Sequence, residues 1–393
     1  MEHEKINVLT IPGLSVDMET AGGMRLTATG ALSIACGPAL NRINERLREE
    51  KPARVDEDSL IASTWLPPIP GKVFNRLIRA EVSCALGKYV PETVSIEITR
   101  ECKCNCEHCT VSEGAGEMTT DQIKGIIDQA LDMGAFIITF TEGDPMLRDD
   151  IFELVEYVDK DKAIVNIFTP GTEMTPEKAA RLRDAGLHNL LISIYSTDPA
   201  KHDRTRQLEG AYTRAVDAIK MGLDAGLLVT MTTHISPDRM HELPGLYELA
   251  KELGVHEFSI WESVAKRPGD PVISEEDRQT ILDMHRTLNQ PAPGPRVFAN
   301  SFFEGEMLGC MAGRRWAHVC VDGGVKACPY MPFEFGNVLD ENGLSGAWKT
   351  VRSLKDFKER RNLCMMQDPQ FLINLEHIPE GSRSKYPYRD ILK

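Results

Sequence analysis

The chain has 393 residues, enough for one large barrel domain with an appendage or for two ordinary domains. Apolar residues make up 42% and charged residues 26%, as in ordinary globular proteins. With 59 acidic against 45 basic residues the net charge is −14, a poor electrostatic match for nucleic acid or for an anionic membrane. No run of about 18 apolar residues is present, so no spanning helix is expected, and the opening Met-Glu-His-Glu-Lys lacks a secretory pattern, so a cytoplasmic chain is expected.

Residues 1–91 read as an N-terminal extension, mainly helical. Ala31–Glu49 has helical spacing, and Val73–Leu86 follows as an amphipathic stretch. The second stretch carries Arg76 and Arg79 beside Phe74, Leu77, Ile78 and Val82. Packing on the outside of the main domain is the favoured reading, and docking on a membrane surface is the other.

From Val94 onward, short β-branched runs alternate with helical runs. The strands are Val94–Ile98, Phe136–Thr141, Ile164–Thr169, Leu190–Tyr195, Leu228–Thr233 and Glu257–Trp261. Between them lie helices near 119–134, 150–160, 176–187, 211–226 and 240–253. Thr119 and Thr175 suit N-caps, the second followed by Pro176. Gly134, Gly186, Gly226 and Gly254 suit left-handed C-caps. Parallel pairing with right-handed crossovers then gives an α/β fold, a partial (β/α)6 barrel over 92–300.

Ten cysteines fall into groups, four within 102–109 and four within 310–364, with Cys36 and Cys84 apart. A long chain with no export pattern points to metal ligation rather than disulfides. Cys102, Cys106 and Cys109 stand in the spacing C-x3-C-x2-C directly after the first strand. Three thiolates cannot close a structural zinc site or an ordinary four-thiolate cluster. They can hold a 4Fe–4S cluster by three irons and leave the fourth open for a small molecule. Cys104 lies inside the same loop, and a zinc knuckle is the alternative.

The run Glu97–Cys109 resembles the cluster loop of radical S-adenosylmethionine (radical SAM) enzymes, with His108 where that family usually has an aromatic residue. The resemblance implies a 4Fe–4S cluster that binds S-adenosylmethionine. Thr141-Glu142-Gly143-Asp144-Pro145 is similar to the family's Gly-Gly-Glu-Pro turn for the methionyl amino group, with Glu142 where a glycine is usual. Thr169-Pro170-Gly171-Thr172 and Ser193-Ile194-Tyr195-Ser196 are similar to the next two ligand turns. Asp203–Arg206 with Gly210-Ala211-Tyr212 resembles a further family stretch. These similarities imply Glu142, Gly143, Asp144, Pro145, Thr169, Ser193 and Arg206 as cofactor-binding residues. A guanidinium such as that of Arg206 suits a carboxylate, and a solvated surface arginine is the plainer reading. Thr230, Thr232, His234, Glu262 and Arg267 stand on or near the last two strands and are candidates to face the cavity.

Residues 301–393 open with Cys310, then Gly323 and Cys328, similar to the C-x9–15-G-x4-C signature of SPASM and twitch extensions. Val319–Ala327 reads as a β-hairpin. Together Cys310, Cys320, Cys328 and Cys364 supply four thiolates, enough for an auxiliary 4Fe–4S cluster or, alternatively, a structural zinc. The later SPASM cysteines are missing, so a small twitch-type domain with one auxiliary cluster is expected. The implied function is reductive cleavage of S-adenosylmethionine to a 5′-deoxyadenosyl radical that takes hydrogen from an unactivated C–H bond, in peptide or protein modification or cofactor maturation. The implied partners are a flavodoxin or ferredoxin reductant and a peptide or small-molecule substrate, with no nucleic acid. The rivals are a lipid substrate and a non-catalytic iron–sulfur or zinc-binding protein.

Overall fold

The structure is a computed structural model and describes all residues except 1–4, 21–22, 48–49, 107, 112–115, 267, 374–385 and 388–393. The extension begins with three antiparallel strands, β1 (Ile6–Ile11), β2 (Leu14–Glu19) and β3 (Arg25–Thr29), then α1 (Ser33–Leu47). A two-stranded ribbon, β4 (Arg54–Val55) and β5 (Leu60–Ile61), precedes α2 (Lys72–Ala85). Both expected helices are present, but the extension is mixed rather than mainly helical. The strands escape a reading by period because only β2 alternates cleanly between buried and half-buried residues, while β1 is mostly exposed and β3 mostly half-buried. The side chain of Cys36 lies outside the described residues.

The barrel strands follow: β6 (Thr93–Glu97), α3 (Thr120–Met133), β7 (Ile137–Thr141), α4 (Ile151–Tyr157), β8 (Ile164–Thr169), α5 (Pro176–Asp184) and β9 (Asn189–Ser193). Next come α6 (Pro199–Arg206), α7 (Ala211–Asp224), β10 (Leu228–Ile235), α8 (Leu243–Leu253) and β11 (Glu257–Glu262). All six expected strands are there. A further unit, α9 (Glu275–Leu288) and β12 (Arg296–Ala299), adds a seventh strand parallel to β11. Caps act where the sequence placed them: Thr119 forms a capping box with Gln122, and the Thr175 hydroxyl accepts from Lys178 N–H.

The C-terminal segment is built into the same sheet. β13 (Trp316–Val319) runs parallel to β6, and the expected hairpin joins it to β14 (Gly324–Lys326). β15 (Phe333–Asn337) continues the sheet, with α10 (Gly343–Ser353) and α11 (Pro369–Leu372) after it. The sheet order from β12 through β6 to β13, β14 and β15 leaves the barrel open. Val94, Ile96, Ile138 and Phe140 turn outward into the main core beneath the helices. Ser95, Thr139, Thr232 and Trp261 turn inward to a cavity.

The extension fills the bottom of the lumen. Trp65 packs against Phe168, Trp261 and Phe298 with ring centroids 5.4–5.7 Å apart. Thr64 Oγ1 donates to Glu257 at 2.6 Å, and Thr230 bonds Thr64 and Asn189, so that threonine is structural. The α2 face carrying Val73 and Ala80 meets Phe136, Ile137 and Ile164, while Arg76 donates to the Leu131 and Ala135 carbonyls. This is the packing arrangement. Among the described residues no helix is long and apolar enough to cross a membrane.

Arg296, buried at the first residue of β12, is held by Glu50 at 2.6 Å and Glu257 at 2.8 Å. Burial alone would raise the Glu50 carboxyl, but Arg296 and His285 outweigh it and hold the pKa below the ordinary 4.5. That contribution is therefore complete above the ordinary value and is lost as pH falls toward the lowered one. Removing the cation strands two buried carboxylates. Arg296→Met is expected to cost about 3–5 kcal/mol, read as a lower urea midpoint; an unchanged midpoint would show that the extension is not locked to the barrel here.

Candidate active site

The four N-terminal cysteines sit on the loop that leaves β6 at the C-terminal end of the barrel, where barrel enzymes place their chemistry. Neighbouring turns tie this loop down. Asp144 N–H donates to the Glu101 carbonyl at 2.7 Å, and Asn105 N–H donates to the Arg206 carbonyl at 3.0 Å. Gly143 has φ +64, and a Cβ there would stand 2.5 Å from the Thr99 carbonyl oxygen. Only glycine allows the second turn to approach the cysteine loop this closely.

Cys102, Cys104, Cys106 and Cys109 line a cavity of about 330 Å³. Cys104 shares its thiol hydrogen with Cys102 and Cys106, which keeps Cys104 protonated and lowers the other two, Cys106 to about 6. The Arg206 guanidinium adds to this, with Nη1 3.5 Å from the Cys106 sulfur. Cationic surroundings of this kind favour thiolates, the form that ligates metal.

The expected ligand turns converge here, with one exchange of roles. Glu142, Gly143, Thr169, Ser193 and Arg206 all line the cavity. Glu142 takes left-handed backbone, φ +54, which is costly for a residue with a Cβ. Its Oε1 accepts from the Thr110 hydroxyl at 2.9 Å, while its buried Oε2 has no partner. Asp144 is wholly buried beneath the turn, contrary to the expectation that it offers an acceptor to a ligand. It accepts instead from the Thr169 hydroxyl at 2.8 Å, the Thr172 hydroxyl at 3.0 Å and Met146 N–H at 3.1 Å. One methylene shorter than glutamate, it caps the turn that Pro145 begins.

Arg206 is buried at the last turn of α6. Its guanidinium lies 4.5 Å from the Tyr195 ring centroid, Nη2 donates to the Ser193 carbonyl at 3.3 Å, and Nε has no partner. Asp203, one turn earlier, accepts from Gly210 and Tyr212 N–H at 2.7 and 2.9 Å and so fixes the bend that aims α6. His108 contacts Tyr195 edge-on at 4.7 Å and stacks on His234 at 5.8 Å. Burial lowers the His108 ring to about 2 and the His234 ring to about 4, so both are neutral at pH 7. Thr232 also lines the cavity. Arg267 lies outside the described residues.

A second, smaller pocket adjoins the first. Cys310, Cys328 and Cys364 line it, together with Glu262 and Glu304. A hydrogen bond from Cys364 brings Cys310 down to about 6 and sends Cys364 well up, and burial pushes Cys328 up to about 12. Trp261, Trp316 and Tyr330 line both pockets and form their common wall. Cys320, expected with the other three, is grouped elsewhere: its sulfur and ligand atoms of Glu97 and His318 lie within 4.8 Å of one another at the end of β13. Residues two apart on a strand share a face, so Cys320 follows His318 toward Glu97. The wall residues and Glu304 carried no local signal, because only the packing of distant segments brings them here.

A family model described as the radical SAM superfamily matches residues 96–250. The chain is 31% identical over 304 residues to the AdoMet-dependent heme synthase of Nitratidesulfovibrio vulgaris, covering 69% of this chain and 82% of that protein. It is 29% identical over 299 residues to the mycofactocin maturase MftC of Mycobacterium tuberculosis, covering 70% of this chain and 74% of that protein. Its fold is similar to Streptococcus suis SuiB bound to S-adenosylmethionine, with a TM-score of 0.57, 13% identity and 98% of each chain covered. A cysteine loop at the head of an open barrel, and this identity over most of a known relative, place the chain in one family: it belongs to the radical SAM superfamily, enzymes that work with a 4Fe–4S cluster and S-adenosylmethionine.

Proposed function

We propose that this radical SAM enzyme matures a peptide or a cofactor precursor, with Cys102, Cys106 and Cys109 holding the S-adenosylmethionine cluster and Cys310, Cys328 and Cys364 holding a second. One observation carries the assignment of the first cavity. Beside the three cysteines it offers an unpartnered buried acceptor, Glu142 Oε2, and an unpartnered buried donor, Arg206 Nε. Unmet buried polar atoms are costly. An amino-acid zwitterion meets both, its ammonium at Glu142 and its carboxylate at Arg206. The methionyl end of S-adenosylmethionine is such a zwitterion. Cys102, Cys106 and Cys109 would hold the cluster and Glu142 and Arg206 the methionyl end, and the bound group would supply radical chemistry for taking hydrogen from an unactivated C–H bond.

The remaining residues shape and shield. Thr169 and Ser193 border the cavity through a hydroxyl and a carbonyl that are already engaged, and so act as positioning groups. Trp261, Trp316 and Tyr330 stand between a substrate in the first pocket and metal held in the second. An aromatic wall excludes water from a reactive centre. The names of the relatives support the substrate class: an AdoMet-dependent heme synthase, a mycofactocin maturase and a PqqA peptide cyclase are similar, and a solved SuiB structure holds a precursor peptide. A flavodoxin or ferredoxin is the proposed reductant.

Anaerobically reconstituted protein should release 5′-deoxyadenosine from S-adenosylmethionine with dithionite. Glu142→Gln and Arg206→Lys should each weaken S-adenosylmethionine binding about tenfold or more, the loss of a charge-assisted hydrogen bond of about 1.5–3 kcal/mol. No 5′-deoxyadenosine from fully loaded wild type would refute the reading. The two substitutions leaving affinity intact would remove the zwitterion assignment.

The loop gives a second expectation. Cys104→Ala should retain the wild-type iron and sulfide content, because its thiol supports Cys102 and Cys106 rather than metal. Cys106→Ala should lose about half of the iron. Equal losses from both variants would make Cys104 a ligand.

A further inference from the structure

Every ionisable side chain in the described lining of the second pocket is an acid. Three cysteines and two glutamates line it, and no lysine, arginine or histidine is among its described lining residues. Burying several acidic groups together is costly, and Arg278, from outside the lining, pairs with Glu262 through its Oε2. A bound metal resolves this, and three thiolates leave one position to fill. The fourth cysteine of the segment, Cys320, stands with Glu97 and His318 instead.

Resting on the two-cluster reading above, we propose that Glu262 is the fourth protein ligand of the auxiliary cluster, through Oε1, and that Cys320 is not a ligand. Glu262 ends β11 and is 3% exposed. Its Oε2 accepts from Arg278 Nη2 at 3.1 Å and from Gln367 Nε2 at 3.0 Å. Its Oε1 is buried and has no partner. Metal-bound carboxylates commonly have this arrangement, one oxygen on the metal and the other held by outer donors. Gln367 follows Cys364 by three positions, so the segment that brings the third thiol also orients the carboxylate. It is further fixed by donating to the Ser263 carbonyl at 2.9 Å, while Glu262 N–H donates to Asn300 at 3.1 Å. Glu304 lines the same pocket, but its carboxylate has one long contact, from Met311 N–H at 3.5 Å.

The test isolates the second site in the full chain, with Cys102, Cys106 and Cys109 all replaced by Ala and the protein reconstituted anaerobically. Iron, zinc and sulfide content, the Mössbauer spectrum and the EPR signal of the reduced protein are recorded. This parent should hold about four irons per chain. In the same background Cys320→Ala should keep that content and an unchanged EPR signal. Glu262→Gln should alter the signal and lose one iron on mild oxidation, giving a three-iron species. Glu262→Cys should hold four irons with a lower midpoint potential, since thiolate donates more strongly than carboxylate. This variant also keeps the proposal testable if Glu262→Gln fails to fold. Spectra unchanged in Glu262→Gln, or altered in Cys320→Ala or Glu304→Gln, overturn the ligand assignment while the two-cluster reading stands. A parent that binds zinc or no metal overturns both.

Discussion

The parallel pairing of β13 with β6 is the constraint on which the arrangement rests. Its register sets Trp316 beside Thr93, Ala317 beside Val94, His318 beside Ser95 and Val319 beside Ile96. β6 leads directly into the first cysteine loop, and β13 leads through its hairpin to Cys328. One row of backbone hydrogen bonds thus sets the strand that carries the first cysteine loop beside the hairpin that leads to Cys328, some 200 residues further along the chain. Side chains reinforce it: His318 Nε2 bonds Glu97 at 2.9 Å, its Nδ1 bonds Ser95 at 2.8 Å, and Trp316 Nε1 donates to Ser95 at 2.7 Å. Glu97 accepts, so His318 carries its proton on Nε2 and Ser95 donates to Nδ1. Buried bonds of this kind are stronger than their surface counterparts and costly to leave half-made.

An open barrel has a lumen to fill and edges to cover, and the N-terminal extension does both. Trp65 enters the lumen from below with three aromatic partners. Lys51 N–H donates to the Asn289 carbonyl at 2.7 Å, and Glu50 reaches Arg296, so the extension also seals the side near β12. Closed at its base, the lumen keeps its cavity at the strand C-termini, among the cysteine loop and the turns that follow β7, β8 and β9. The extension therefore shapes the active site without touching it.

The two pockets share a wall but differ in charge. The first places a guanidinium and unpartnered polar atoms of both kinds beside its thiols, which suits a zwitterionic ligand. The second gathers three thiols and two carboxylates with no cationic side chain in its described lining, which suits a metal held by protein ligands. Between them lies Lys326, buried, its ammonium donating to the Pro329 carbonyl at 2.8 Å and lying near Cys320, Glu97, Glu142 and Cys328. Burial opposes its charge, but these acidic neighbours raise its pKa, and it stays protonated.

Strands and helices of the barrel were legible in the sequence because their causes are local: β-branched runs, threonine caps and glycine C-caps act within a few residues. The cysteine loop was legible for the same reason, since ligand spacing in one short loop is a local property. The turn residues were legible as a set, but their division of labour was not. Whether Glu142 or Asp144 reaches the cavity depends on Thr169 and Thr172 of the next turn drawing the shorter side chain inward. The early strands hid because the two outer strands of their sheet, β1 mostly exposed and β3 mostly half-buried, show little alternation. The company of Cys320, the shared wall and the free oxygen of Glu262 were decided by tertiary structure alone. Each depends on which strands lie side by side, and pairing between segments hundreds of residues apart leaves no mark on the residues that flank them.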